Sequence, residues 1–121
     1  MASVFTKIIK GEIPSYKVYE DEKTMAFLDI EPEVVGHVLV VPKLECDKIY
    51  ELPEEDYSAL MQTVKKLSVR MEKALGKRII WKVIGVDVPH AHVHLMPYEE
   101  KPGKVALSPE EMEEIRAKIA M

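Results

Sequence analysis

Apolar positions change their period along this chain. Val4, Phe5, Ile8 and Ile9 recur at helical steps, Gly11 follows as a stop and Pro14 opposes continuation, which predicts a short helix over 4–9 that covers a sheet edge. Residues 17–21 alternate through Val18, Asp21-Glu22-Lys23 is a polar turn, and 25–29 form the next apolar run, so a hairpin is expected. A loop with Pro32 and Gly36 leads into a strand over 37–42, which Pro42 ends because it has no N–H to give a ladder. Residues 44–52 read as a connector with local helical tendency.

Pro53 and Glu54-Glu55-Asp56 mark a helix start, since proline suits a first turn and carboxylates suit the positive end. Leu60, Val64, Leu67 and Met71 then repeat at three- and four-residue steps, with Lys65, Lys66, Arg70 and Lys73 on the other side, and Gly76 stops the helix after about Leu75. A second apolar edge, with Tyr57, Met61 and Val69, suits either a broad core face or a homodimer. Residues 78–84 alternate as a strand carrying Trp81, the single tryptophan, for which core or dimer packing is expected. Residues 90–97 alternate again until Pro97. Ser108-Pro109-Glu110-Glu111 pairs a serine cap with proline at the first helical position and glutamate three residues after the cap, so a helix over 108–120 follows with Met112, Ile115 and Ile119 as its apolar stripe. The sum is an α+β domain over 1–121: a meandering antiparallel sheet of about five strands, one long helix and short flanking helices.

Composition narrows the function. With 47% hydrophobic and 31% charged residues the chain is globular rather than disordered. A formal net charge of −4 gives no electrostatic case for a nucleic-acid or membrane partner, although local groups can still hold a small anion. Cys46 is the one cysteine, so an intramolecular disulfide and a cysteine-rich zinc site are both excluded. No apolar run reaches the ~18 residues that a membrane span needs, and no signal peptide is evident; the cytoplasm is the expected location.

The chemistry concentrates in His90, His92 and His94, three of the four histidines, spaced so that a strand would show all three imidazoles on one face. A metal site is one reading, but alternate strand positions lie ~6–7 Å apart, so one tetrahedral ion could collect two of these side chains more easily than three. Nucleophilic catalysis is the other reading: a middle imidazole attacks while its neighbours hold an anionic group, and the spacing suits a phosphate better than an ion.

With this row the chain resembles the histidine-triad (HIT) superfamily of nucleotide hydrolases and transferases, in its phosphoramidase-like branch. The resemblance also rests on residues 5–14 (Phe5-Thr6-Lys7-Ile8-Ile9-Lys10-Gly11-Glu12-Ile13-Pro14), on Met25-Ala26-Phe27-Leu28-Asp29-Ile30 with Pro32, on Gly36-His37-Val38-Leu39-Val40-Val41-Pro42-Lys43, and on Val88-Pro89 before the row; it covers about 3–98. It implies a HIT-like fold and a homodimer with a continuous sheet. It implies a purine pocket walled by Val4, Phe5, Ile8, Phe27 and Ile30, with Asp29 accepting from the ribose diol. It implies that His92 attacks phosphorus, that His94 binds phosphate oxygens, that His90 holds phosphate or tunes its neighbour, and that His37 supports the row from behind or beside His92. A structural zinc site of the family would need donors where Ser3, Thr6 and Glu45 stand, so no metal or other cofactor is expected.

One segment departs from the resembled pattern. The approach Gly85-Val86-Asp87-Val88-Pro89 is short, with Val86 where members tend to have glutamine and Asp87 where a hydroxyl is frequent. Asp87 and Val88 are expected beside the phosphate, where an ionised Asp87 would repel it, with backbone amides as substitute donors. The expected substrate is a purine nucleoside phosphoramidate or related nucleotidyl conjugate. Dinucleoside polyphosphate hydrolysis and nucleotide binding with little catalysis are the alternatives.

Overall fold

The computed structural model describes residues 2–121. Eight elements and a short 3-10 turn at Ile49–Glu51 follow in the order α1 (Val4–Ile9), β1 (Lys17–Glu20), β2 (Thr24–Leu28), β3 (Val38–Pro42), α2 (Glu54–Leu75), β4 (Ile79–Lys82), β5 (Val93–Pro97) and α3 (Pro109–Ile119). The five strands form one antiparallel sheet in the order β1-β2-β3-β5-β4. The first three strands meander. The last two exchange places: β5 lies beside β3 and β4 takes the edge. Burial accounts for this, because β5 is apolar or half-buried throughout whereas β4 is mostly exposed, and an edge strand is covered on fewer sides.

Strand alternation divides the core into two layers. Ala26, Leu28, Val38, Val40, Ala91, Val93 and Leu95 face α2 and α3, where Leu60, Val64, Leu67 and Met71 of α2 are fully buried. Each such side chain contributes roughly 1.5–3 kcal/mol. Met25, Phe27, Leu39 and Val41 point the other way and pack under Phe5 of α1. The short helix therefore lies on the open sheet face rather than along an edge. Ser3 caps α1 by accepting from the Thr6 N–H, and Gly76 ends α2 in the left-handed region. The expected capping box at α3 is present, with Ser108 and Glu111 bonding reciprocally. Helix α3 docks on its own domain through Met112, Ile115 and Ile119. No helix among the described residues is long and apolar enough to cross a membrane.

β1 and β3 are one residue shorter than expected, and two strands are shorter by three. β4 stops at Lys82, so Val83 and Ile84 lie beyond the ladder. β5 starts at Val93, so His90, Ala91 and His92 precede it; the Ala91 N–H bonds the Cys46 carbonyl at 2.7 Å instead of a strand partner. Alternation reports which side a residue faces, and it survives where ladder bonds do not.

Gly36 sets up the start of β3. Its φ is +88°, and a Cβ there would stand 2.9 Å from Leu75 Cδ1 and 3.2 Å from Pro97 Cγ. Gly36→Ala should cost about 1–3 kcal/mol in urea unfolding and disturb the adjacent His37 resonance; wild-type stability in this variant would remove the constraint.

Candidate active site

A cavity of about 580 Å³ opens on the sheet face that carries α1. Of the residues expected at the site, Val4, Phe5, Ile8, Phe27, Asp29, Ile30, Asp87 and Val88 line it, together with His37, His92 and His94, but not His90. Ile30 does so at the rim, where it is 75% exposed. Sequence reasoning missed Leu39 and Ile13 in the wall, and Glu33 and Lys104 at the polar end. Alternation sets Leu39 on the face opposite Val38 and Val40, and register then pairs it with both Phe27 and His94. Nothing local marked Lys104, which comes from the loop after β5. A hollow of about 590 Å³ beside β1 and α3 has no histidine in its lining.

His90 is not at the cavity. It is 0% exposed, and its Nε2 lies 2.8 Å from the Pro42 carbonyl. Holding phosphate is therefore closed to it, and the imidazole row is less open than its pattern predicts. A carbonyl only accepts, so His90 carries its proton on Nε2 and its Nδ1 accepts from Ser3 Oγ at 2.8 Å. Ser3 Oγ in turn accepts from the Thr6 N–H at 3.0 Å, and Thr6 Oγ1 donates to Glu45 Oε1 at 2.5 Å. Glu45 also takes the Ser3 N–H at 2.8 Å. The Thr6 hydroxyl first, then the Ser3 amide, hold its carboxyl below the ordinary value. Ser3, Thr6, Glu45 and His90 thus do meet, but two hydroxyls give their protons to the other two members. This donor set does not fit a structural zinc ion.

His92 Nδ1 lies 2.8 Å from the carbonyl of His90, which again only accepts. The proton is on Nδ1 and the lone pair is on Nε2. No buried side-chain nitrogen or oxygen among the described residues lacks a partner. His92 Nε2 makes no hydrogen bond, so it reaches the cavity although the residue is only 5% exposed. The Phe5 ring stands edge-on to the imidazole at 5.0 Å between centroids and fixes its plane.

His37 supports His94 rather than His92. The Glu33 N–H donates to His37 Nδ1 at 3.2 Å, which leaves the His37 proton on Nε2, 2.9 Å from His94 Nδ1. His94 consequently carries its proton on Nε2, available as a donor. Burial first, then the neighbouring His92 and His37, push the His94 pKa down to about 4. Burial likewise lowers His37 and His90. Asp29 spends one carboxylate oxygen on the Glu31 N–H at 2.9 Å, as a turn cap, and places the other 3.6 Å from His37 Nε2. Asp29, His37 and His94 offer ligand atoms within 4.8 Å of one another, but the His37–His94 gap already holds a shared proton that a cation would have to displace.

An imidazole nitrogen with a free lone pair, a donor imidazole beside it and an apolar slot under α1 thus meet in one cavity. The HIT domain family matches residues 10–101. The chain belongs to that family. This HIT protein is 43% identical over 108 residues to an uncharacterized HIT-like protein of Methanocaldococcus jannaschii, covering 84% of this chain and 83% of that one. It is 37% identical over 107 residues to the adenosine 5′-monophosphoramidase of Saccharomyces cerevisiae, covering 86% and 68%. Among solved structures, a HIT-like protein of Bartonella henselae superposes with a TM-score of 0.87 at 31% identity, covering 97% of this chain and 93% of that one.

The pH response of the HIT protein follows from His94. Its folded pKa lies below the unfolded value of 6.5, so between those values the unfolded chain binds the extra proton. The contribution is complete above about pH 6.5 and is lost on acidification towards about 4. NMR titration should show His94 still neutral at pH 5.5 with its proton on Nε2, and Tm should fall as pH drops through this window. Titration of His94 near 6.5 would contradict the geometry.

Proposed function

We propose that this HIT protein hydrolyses purine nucleoside phosphoramidates or related nucleotidyl conjugates through a nucleotidyl-histidine intermediate. The free lone pair of His92 Nε2 at the cavity carries the reading; the phosphoramidase name of the yeast relative supports it. The Nε2 lone pair attacks the α-phosphorus. The bond to the leaving nitrogen breaks, and its electron pair departs with the amine, which takes a proton from solvent at the open end. The imidazolium formed shares its charge with the His90 carbonyl through Nδ1–H. Water then adds to phosphorus, gives its proton to solvent, and the P–Nε2 electrons return to the ring, freeing a nucleoside monophosphate. Two lower barriers replace one. His94 Nε2–H meets the phosphoryl oxygens where charge develops. Asp29 accepts from the ribose diol, and Phe5, Phe27 and Leu39 hold the base.

A nucleotide-binding protein with slow turnover is the second reading, favoured by Asp87, whose place in the cavity wall opposes phosphate charge. Turnover of adenosine phosphoramidate decides between them. Wild type should form an acid-labile adduct of nucleotidyl mass on His92 in rapid-quench mass spectrometry. His92→Ala should lower kcat by ~10³-fold or more while keeping AMP binding. AMP binding without turnover would establish the second reading, and turnover without an adduct would remove the covalent step.

We also propose that residues 1–121 act as one domain and that two copies pair along β4 and α2. Trp81 lies on the α2 side of the sheet, donates from Nε1 to Ser68 Oγ at 2.7 Å, and remains 48% exposed. Tyr57 and Val83 are exposed in one hollow with it, next to an edge strand with free backbone groups, and Val69 is exposed on α2. Trp81→Glu should shift the sedimentation coefficient from dimer to monomer; a monomeric wild type would dismiss this interface.

A further inference from the structure

Lys82, we infer, is the cation that holds the substrate's phosphoryl group on the histidine row, a specificity residue that favours phosphorylated over free nucleosides. The inference rests on the nucleotide reading above and adds to it a residue from the edge strand.

Register places Lys82 there. On the open face one row of side chains crosses four strands: Phe27 pairs with Leu39, Leu39 with His94, and His94 with Lys82. Directly paired residues of antiparallel strands stand on the same face with Cβ atoms ~4.5–5.5 Å apart. The row therefore runs from the apolar base wall, through the phosphate donor, to an ammonium on a flexible stem. Trp81 and Leu95, the neighbouring pair, point to the α2 side, which confirms the assignment of faces. The charge of Lys82 is felt here, since it adds to the lowering of His37.

Charge balance gives the residue its task. Asp29, Glu31, Glu33 and Asp87 line the cavity. Lys104 also lines it but is paired with Glu31 at 3.6 Å. Burial lowers His37 and His94, so these two offer dipoles rather than charge. An incoming phosphate would meet four carboxylates and one cation already engaged. Lys82 is exposed and makes no ion pair among the described residues. It is an unpaired cation in the same row, and it stands beside the imidazole that donates to a phosphate. A lysine on an edge strand can also serve only to prevent sheet-to-sheet pairing. That role would affect association between copies and would be indifferent to the phosphate.

Calorimetry with AMP and with adenosine separates these roles in the full chain. Lys82→Met should weaken AMP about tenfold, about 1.4 kcal/mol, leave adenosine within about twofold, and flatten the loss of AMP affinity with added NaCl. Lys82→Arg should keep AMP binding within about threefold. Circular dichroism and sedimentation establish that both variants fold and associate as wild type does; should Lys82→Met misfold, Lys82→Gln takes its place. Equal weakening of AMP and adenosine, or no change in either, overturns the inference, as does a wild type that binds neither. Turnover by wild type with an AMP preference independent of Lys82 removes this inference alone. A Lys82-dependent AMP preference without turnover removes the hydrolase reading alone.

Discussion

The hydrogen bond from His92 Nδ1 to the carbonyl of His90, 2.8 Å long, is the constraint on which the site depends. An imidazole has two nitrogens and, when neutral, one proton. Placing that proton against a carbonyl leaves the other nitrogen as a lone pair, and here it is the nitrogen at the cavity. The carbonyl can do this because His90 itself cannot turn. Its ring is pinned between the Pro42 carbonyl and the Ser3 hydroxyl, and Ser3 is tied through Glu45 to the segment after β3. A buried histidine outside the cavity thus controls an accessible one through its main chain.

A second chain of hydrogen bonds has the same logic and the opposite result. It begins at the Glu33 N–H, passes through both nitrogens of His37, and ends with a proton on the outward nitrogen of His94. Adjacent imidazoles on one face are therefore a lone pair and a donor. Neither assignment needs a charge. Burial favours this state, since desolvation penalises imidazolium and lowers His37, His90 and His94 alike. The site is then an array of oriented dipoles on a sheet packed on both faces, with carboxylates and lysines confined to its rim. Preorganised dipoles of this kind lose little in reorganisation when charge develops.

Much of this was legible in the chain. Periods of 3.6 and 2 located α1, α2, α3 and all five strands, and capping residues marked their ends, because each of those signals is local. The cavity walls followed from the family resemblance, and Val4, Phe5, Phe27 and Asp29 do line one space. The errors share a cause. Placing His37 beside His92, giving His90 a phosphate and extending β4 through Ile84 all required knowing which residue lies across from which. Lys82 went unnoticed for the same reason, since its place beside His94 comes from strand pairing. Ser3, Thr6 and Glu45 could be read as absent metal ligands, but not as the hydrogen-bonded clamp they form.

The amino-acid sequence by itself determined the elements, the division of each strand between two faces and the concentration of histidine in one row. Those properties depend on neighbours within a turn of helix or a few strand residues. Only the tertiary structure decided which nitrogen of each histidine holds the proton. For His90 and His94 the deciding partners lie far along the chain: Pro42 is 48 residues from His90, His37 is 57 from His94 and Ser3 is 87 from His90; the partners of His92 and His37 are near in sequence but are held in place by those contacts. A tautomer is set by the nearest fixed donor or acceptor; pairing of β3 with β5 brings His37 and Pro42 within reach, and packing of α1 on the sheet brings Ser3.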